Sequence, residues 1–201
     1  MKNKIYGNEG ASIVIALVFF LICAVIGSVV LTAASINAKA VVTHRQTQQA
    51  EYTVTSAAQT IVDQIVPTTV VWKDSKNPSE IEIPVKGPVL MQQLWTTTNL
   101  QDLWNVHKSQ SETPYTLPTL LKIKVSDSSG SSKYEELEVY AQFSVDRDFN
   151  ITVKLSSEED INKPAAYKEV VTVQCIPTYN NAGRLEKCEW KNAVITKASD
   201  V

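Results

Sequence analysis

Residues that carry chemistry are scarce in this 201-residue chain, which has only 3 cysteines and 2 histidines. Neither His44 nor His107 has a cysteine or an acidic partner at a motif spacing. There is no glycine-rich phosphate loop, no Gly-x-Ser-x-Gly turn and no paired histidine on a helical face. No catalytic residue, cofactor or metal is therefore expected, and the chain does not read as an enzyme. Asp146, Asp148, Glu158, Glu159 and Asp160 could suggest calcium, but residues 146–150 lack the glycine and distal glutamate of an EF-hand. They read as solvated loop charges. A formal charge of −2 leaves no basic footprint for nucleic acid.

The most telling absence is charge near the N-terminus. Residues 11–38 contain no charged side chain. The densest part, ASIVIALVFFLICAVIGSVVLTAA over residues 11–34, is 24 residues long. At about 1.5 Å per residue it reaches about 36 Å, against a hydrocarbon core of about 30 Å. Lys2 and Lys4 precede it, and basic residues stay on the cytoplasmic side. Residues 1–10 are thus expected as a cytoplasmic leader, residues 11–34 as a single membrane span, and residues 67–201 as an extracytoplasmic domain. Three fates compete for the segment: a permanent anchor, a cleaved secretory signal, or a prepilin-type leader plus helix. Ala38-Lys39-Ala40 fits a signal cleavage site, but the apolar stretch far exceeds the usual 7–15 or so residues.

Breakers are also missing beyond the span. Residues 35–66 contain neither glycine nor proline, and Pro67 closes the stretch. Ala50, Val54, Ala57, Ala58, Ile61 and Ile65 recur at three- and four-residue spacings, which predicts one apolar helical face. Arg45, Gln48, Gln49, Glu51, Gln59 and Asp63 fall on the other. A helix over residues 11–66 follows, apolar in its first half and amphipathic in its second.

The run Gly-Asn-Glu-Gly-Ala-Ser at residues 7–12, and GASIVIALVFFLICAVIGSVVLTAAS at residues 10–35, resemble the N-terminus of type IV pilin-like proteins, particularly minor pilins of the PilX type. The resemblance covers about 30 residues. It implies that a prepilin peptidase cuts after Gly10 and frees Ala11. It also implies a pilin-like α+β fold, and a helix that packs against other pilin-like subunits in a pilus or secretion pseudopilus. The fifth residue after that cut is Ile15, where the family usually carries glutamate, and Glu9 precedes the cut. The other reading is a single-pass, membrane-anchored extracellular binding or scaffold protein outside any filament.

After Pro67 the period changes to two. Residues 70–72 and 81–83 read as short strands around a turn at residues 73–78. Residues 89–108 read as helix or irregular loop, with Leu90, Leu94, Leu103, Trp104 and Val106 as satellite core. Leu121, Ile123 and Val125 alternate with lysines. Leu137, Val139, Ala141, Phe143 and Val145 alternate with polar residues and, after a turn at 146–150, lead to Ile151, Val153 and Leu155. These predict a three-stranded antiparallel meander with one wet face. A flexible turn at 127–132 and an acidic loop at 156–166 complete this part.

Residues 170–179 and 184–196 flank Asn-Asn-Ala-Gly and predict a hairpin. A symmetric two- or four-residue loop sets Cys175 opposite Cys188 and Val173 opposite Trp190 on one face. Thr172–Lys191, Gln174–Glu189 and Ile176–Lys187 then sort to the other. Directly opposed residues sit about 4.5–5.5 Å apart, within disulfide reach. A Cys175–Cys188 disulfide is the expectation, and an outer compartment would preserve it. Cys23, in the span, is expected as a packing thiol.

Overall fold

A computed structural model describes residues 9–66, 68–72, 81–82, 89–125, 137–164 and 166–198. The chain is α+β and divides into two units, residues 1–48 and residues 49–201. The anticipated turns at 73–78 and 127–132, and residues 1–8 of the leader, lie outside the described residues.

Helix α1 (Glu9–Ile65) ends two residues before Pro67, matching the expected limit. Within the second unit its face is cleanly sorted. Val54, Ala57, Ala58, Ile61 and Ile65 are buried, while Gln59 and Asp63 are exposed. Glu51 departs from the expected wet face and is half-buried, for a reason given below.

The strands are β1 (Thr69–Trp72), β2 (Ile81–Glu82), β3 (Tyr115–Thr116), β4 (Leu121–Val125), β5 (Leu137–Val145), β6 (Ile151–Ser156), β7 (Lys168–Tyr179) and β8 (Leu185–Lys197). They form one antiparallel sheet in the order β2-β1-β8-β7-β6-β5-β3, with β4 also on β5. The predicted meander β4-β5-β6 is present. Two features escaped the sequence reading. Strand β3 is only two residues long, and β1 adds to the outer edge of β8. Helices α2 (Val89–Leu94) and α3 (Thr97–Ser109) account for the ambiguous stretch. Their Leu90, Leu94 and Leu103 belong to the main core, with Trp104 packed against it.

One face of the sheet is dry. Val139, Ala141, Phe143, Ile151, Val153, Leu155, Val171 and Val173 are fully buried, and they alternate with half-buried or exposed residues such as Gln142, Thr152 and Thr172. The buried face of α1 joins these residues in one core. Each well-buried aliphatic side chain there contributes about 1.5–3 kcal/mol relative to exposure. The wet face carries ion pairs such as Lys122–Glu138 at 2.6 Å and a Lys187–Glu189–Lys191 group. Hydrogen bonds from Lys187 and Lys191 hold the Glu189 carboxyl down at about 2.

The β7–β8 register corrects the expectation. Cys175 faces Trp190 and Cys188 faces Pro177, while Gln174 pairs with Lys191, Ile176 with Glu189, Thr172 with Val194 and Val173 with Ala193. The symmetric loop is not what forms. Tyr179 pairs with Leu185, the turn closes through Asn180 C=O accepting from Gly183 N–H at 2.9 Å, and Gly183 takes φ +73°. Glu186 and Asn192 are then extra residues on β8, at the two interruptions of the ladder, and Asn192 has φ +55°. Each bulge inserts one residue against none on the partner strand. Around the cysteines the offset from the expected pairing is two residues, one full pleat, so the inward set survives while every partner changes. Beyond Asn192 the further step turns Ala193 and Ile195 toward the core and leaves Val194 exposed.

Truncating the helix–sheet core should be costly. Ile61→Ala should destabilise the detergent-solubilised full-length protein by about 2–5 kcal/mol in urea unfolding, while Gln59→Ala on the exposed face should change it by no more than about 0.5 kcal/mol. Equal small effects would mean that this face of α1 is not part of the cooperative core.

Candidate functional site: the apolar helix, the thiol pair and a buried carboxylate

The first candidate is the N-terminal part of α1. It is the one helix, among the described residues, long and apolar enough by length and composition to cross a membrane. Its large apolar side chains are exposed: Ile13, Leu17, Phe20, Ile26, Val30 and Leu31 among them. Spanning a bilayer demands that polar groups be satisfied within the segment. The two described hydroxyls in residues 13–34 comply. Ser28 Oγ donates to Val25 C=O at 2.8 Å and Thr32 Oγ1 to Ser28 C=O at 2.8 Å. Cys23 is exposed on the same helix and free. Gly10 lies in the first turn of α1, followed by Ala11.

The second is the thiol pair. Cys175 and Cys188 are brought together on the buried face of neighbouring strands, as diagonal rather than directly opposed residues, and both are free thiols. Diagonal partners sit about 7–8 Å apart, at the limit that a disulfide can bridge without backbone movement. A hydrogen bond to Cys175, and then burial, push the Cys188 thiol far up, so the thiolate is disfavoured there.

The pair sits beside a hub that sequence reasoning missed. The β5–β6 turn, expected only as a connection, is held from four sides. The Asp146 carboxylate accepts from Asp148 N–H, Asn150 N–H and Asn150 Nδ2, each at 2.9 Å. Asn150 Oδ1 accepts from Cys175 N–H at 2.9 Å, and Phe149 C=O accepts from Trp190 Nε1 at 2.9 Å. His107 Nδ1 lies 2.6 Å from Arg147 C=O, and its ring packs 4.7 Å from Phe149. Phe149 has φ +64°, a conformation a bulky residue rarely takes, yet its side chain is buried. The hydrogen bonds and burial hold that strain in place. Asp146 is thus a structural capping group, and His107 an anchor of α3. Among the described residues no group of three or more His, Cys, Asp or Glu side chains could hold a metal ion.

The third candidate is a polar cluster where α1 meets the end of β7. Glu169 is 6% exposed. Its Oε1 accepts from Thr55 Oγ1 at 2.8 Å and from Tyr167 OH at 3.1 Å, while Oε2 is buried without a partner. Tyr167 OH also lies 3.3 Å from Glu51 Oε1, which explains why Glu51 turns inward. Lys197 compensates, 3.7 Å from Glu51 and 4.7 Å above the Tyr167 ring. One phenol proton is shared between two carboxylates. The sequence held one signal, Tyr167 and Glu169 two apart at the start of β7, but nothing local pairs them with residues of α1 more than a hundred positions away.

Comparison with models of known families, with curated proteins and with solved structures finds no match for this chain.

Burial, and then the neighbouring Glu169 and Glu51, push the Tyr167 phenol up to about 12, from the ordinary 10.0. Folding therefore strengthens its hold on the proton. That stabilisation is full below pH 10 and is lost as pH rises toward about 12. A spectrophotometric titration of the folded protein should show one tyrosine ionising about two pH units late, and Tyr167→Phe should remove that step. An unchanged titration in the variant would show that the seam does not shield Tyr167.

Proposed function

We propose that this chain is a membrane-anchored structural subunit of pilin-like design, a minor pilin or pseudopilin that contributes to a pilus or secretion pseudopilus at the cell surface. The observation that carries the proposal is α1. An uncharged, exposed apolar segment is followed in the same helix by an amphipathic segment that forms the core of an α+β unit. An exposed face of this kind needs lipid or other apolar helices around it. In this reading the helix holds the subunit in the bilayer before assembly and then packs among neighbouring helices. The sheet unit stands outside the cell and offers a surface for adhesion, priming or secretion. The role is structural rather than enzymatic. The second reading, a single-pass anchored binding or scaffold protein outside any filament, rests on Ile15, where the pilin resemblance would place a glutamate.

Processing separates the two. N-terminal sequencing of protein extracted from membranes should begin at Ala11, the product of a prepilin peptidase cutting after Gly10. An intact Met1 would favour the permanent anchor, and a start at Val41 a secretory signal.

Topology and the disulfide are tested together. Impermeant biotinylation of intact cells should label the exposed Lys122 and Lys154. In protein taken from the outer face, Cys175 and Cys188 are expected as a disulfide, with Cys23 free. Peptide mapping without reduction reads this directly. Labelling only after lysis would reverse the orientation, and two alkylatable thiols after denaturation would rule out the bridge.

A further inference from the structure

Between Glu9 and Glu51 the chain has no acidic residue, and its charged groups there are Lys39 and Arg45, with His44 beside them. All three lie on α1 and are exposed. Among the described residues none of them has an ion-pair partner, whereas Lys122, Lys163, Lys187, Lys191 and Lys197 in the sheet unit all do. At 100° per residue, positions 39, 44 and 45 fall on different sides of the helix, so the charge forms a collar rather than a stripe. The collar's depth is fixed by the span it follows. Residues 11–38 rise about 42 Å, close to the roughly 40–45 Å of a bilayer including its headgroups. Lys39 to Arg45 adds about 9 Å more. The side chains between are not those of a helix in open water, for Ile36, Val41 and Val42 are 63%, 64% and 54% exposed. Apolar and cationic groups mixed around one helix, at the outer edge of the headgroup layer and within side-chain reach of its phosphates, suit the membrane interface.

We infer that Lys39 and Arg45, with His44, form a collar that binds the phosphates of anionic lipid headgroups and sets the depth of α1 in the bilayer. The inference rests on the membrane reading of α1 but not on its orientation, since either leaflet supplies headgroups. Two cations without an ion-pair partner among the described residues, in a stretch of sequence with no acid, are matched in charge by anionic phosphates, and each should favour an anionic over a zwitterionic neighbour by about fivefold when close to the surface. Screening should weaken this at high salt.

The test uses the full-length protein reconstituted into vesicles of phosphatidylcholine containing a minority of phosphatidylglycerol. Spin-labelled phosphatidylglycerol and phosphatidylcholine report which lipid contacts the protein. The expected result is a several-fold preference for phosphatidylglycerol, which falls toward unity in molar salt and drops in the double variant Lys39→Gln/Arg45→Gln to what Lys2 and Lys4 alone support. Each single variant should show an intermediate preference. Resistance to alkaline carbonate extraction, measured on the same vesicles, reports insertion independently of lipid charge. Inserted wild-type protein with no preference, or with a preference that the double variant keeps in full, would overturn the collar and leave the membrane span standing. Protein stripped by carbonate would overturn the span and the collar with it. A preference for an acidic soluble protein over anionic lipid, in competition on the same vesicles, would assign the collar to that protein and overturn the lipid inference.

Discussion

A sheet that is wet on one side must hide the other, and in this protein the amphipathic end of α1 helps to hide it. Nearly everything in the second unit follows from that need. The strict alternation of β5 and β6 places Val139, Ala141, Phe143, Ile151, Val153 and Leu155 on one surface, and the spacing of Val54, Ala57, Ala58, Ile61 and Ile65 makes a matching stripe. The alanines matter here, because small side chains bring a helix close to a sheet. Polar groups trapped where the two meet must then find partners. Thr55 and Tyr167 both donate to Glu169, leaving one carboxylate oxygen buried and unpaired. An unsatisfied buried acceptor costs about 1–3 kcal/mol, small beside the apolar burial around it.

The far end of the sheet is closed differently. There the β5–β6 turn works as a node rather than a connection. Its backbone carbonyls take protons from Trp190 and lie against His107, and its Asn150 side chain caps the amide of Cys175. A tight turn normally places glycine where Phe149 sits with φ +64°. Phenylalanine there ties the turn into the core, at the cost of strain that glycine would not carry. The same region holds the Trp95–Trp190 pair, with ring centroids 5.2 Å apart, and the two thiols.

Periodicity told more than partnership did. The helix end near Pro67, the meander, and the inward set of β7 and β8 were all legible, because burial on one face leaves a period in the sequence. The β7–β8 partners were not. Gly183 at positive φ is compatible with several loop lengths, and bulges at Glu186 and Asn192 carry no local mark that outweighs a symmetric turn. An error of one pleat preserves every buried residue and misplaces every neighbour, which is why the hydrophobic pattern could not detect it. Strand β1 on β8, and the Glu169 seam, are long-range contacts with no signature of their own. Among the site residues, Cys175 and Cys188 stand diagonal where direct opposition was expected. Orientation was also argued from one flank. Lys2 and Lys4 lie on one side of the span, but Lys39 and Arg45 lie on the other.

The first unit poses the opposite problem to the second. Its apolar side chains have no covering face of their own, and the large exposed ones run from Ile13 to Val42. Lipid and a bundle of like helices are equally apolar, so hydrophobicity alone cannot choose between them. What distinguishes them is any polar group along the way. A carboxylate in mid-span costs roughly 2.5–3.5 kcal/mol on insertion scales, and would be relieved by a cation on a neighbouring helix. Ile15 puts an aliphatic side chain where the pilin resemblance would place that carboxylate, and Ser28 and Thr32 bond within their own helix. Among the described side chains of residues 13–34, both hydroxyls are paired within the helix and none is charged. Any assembly this segment enters is left to close packing, since residues 11–38 offer no charge to pair.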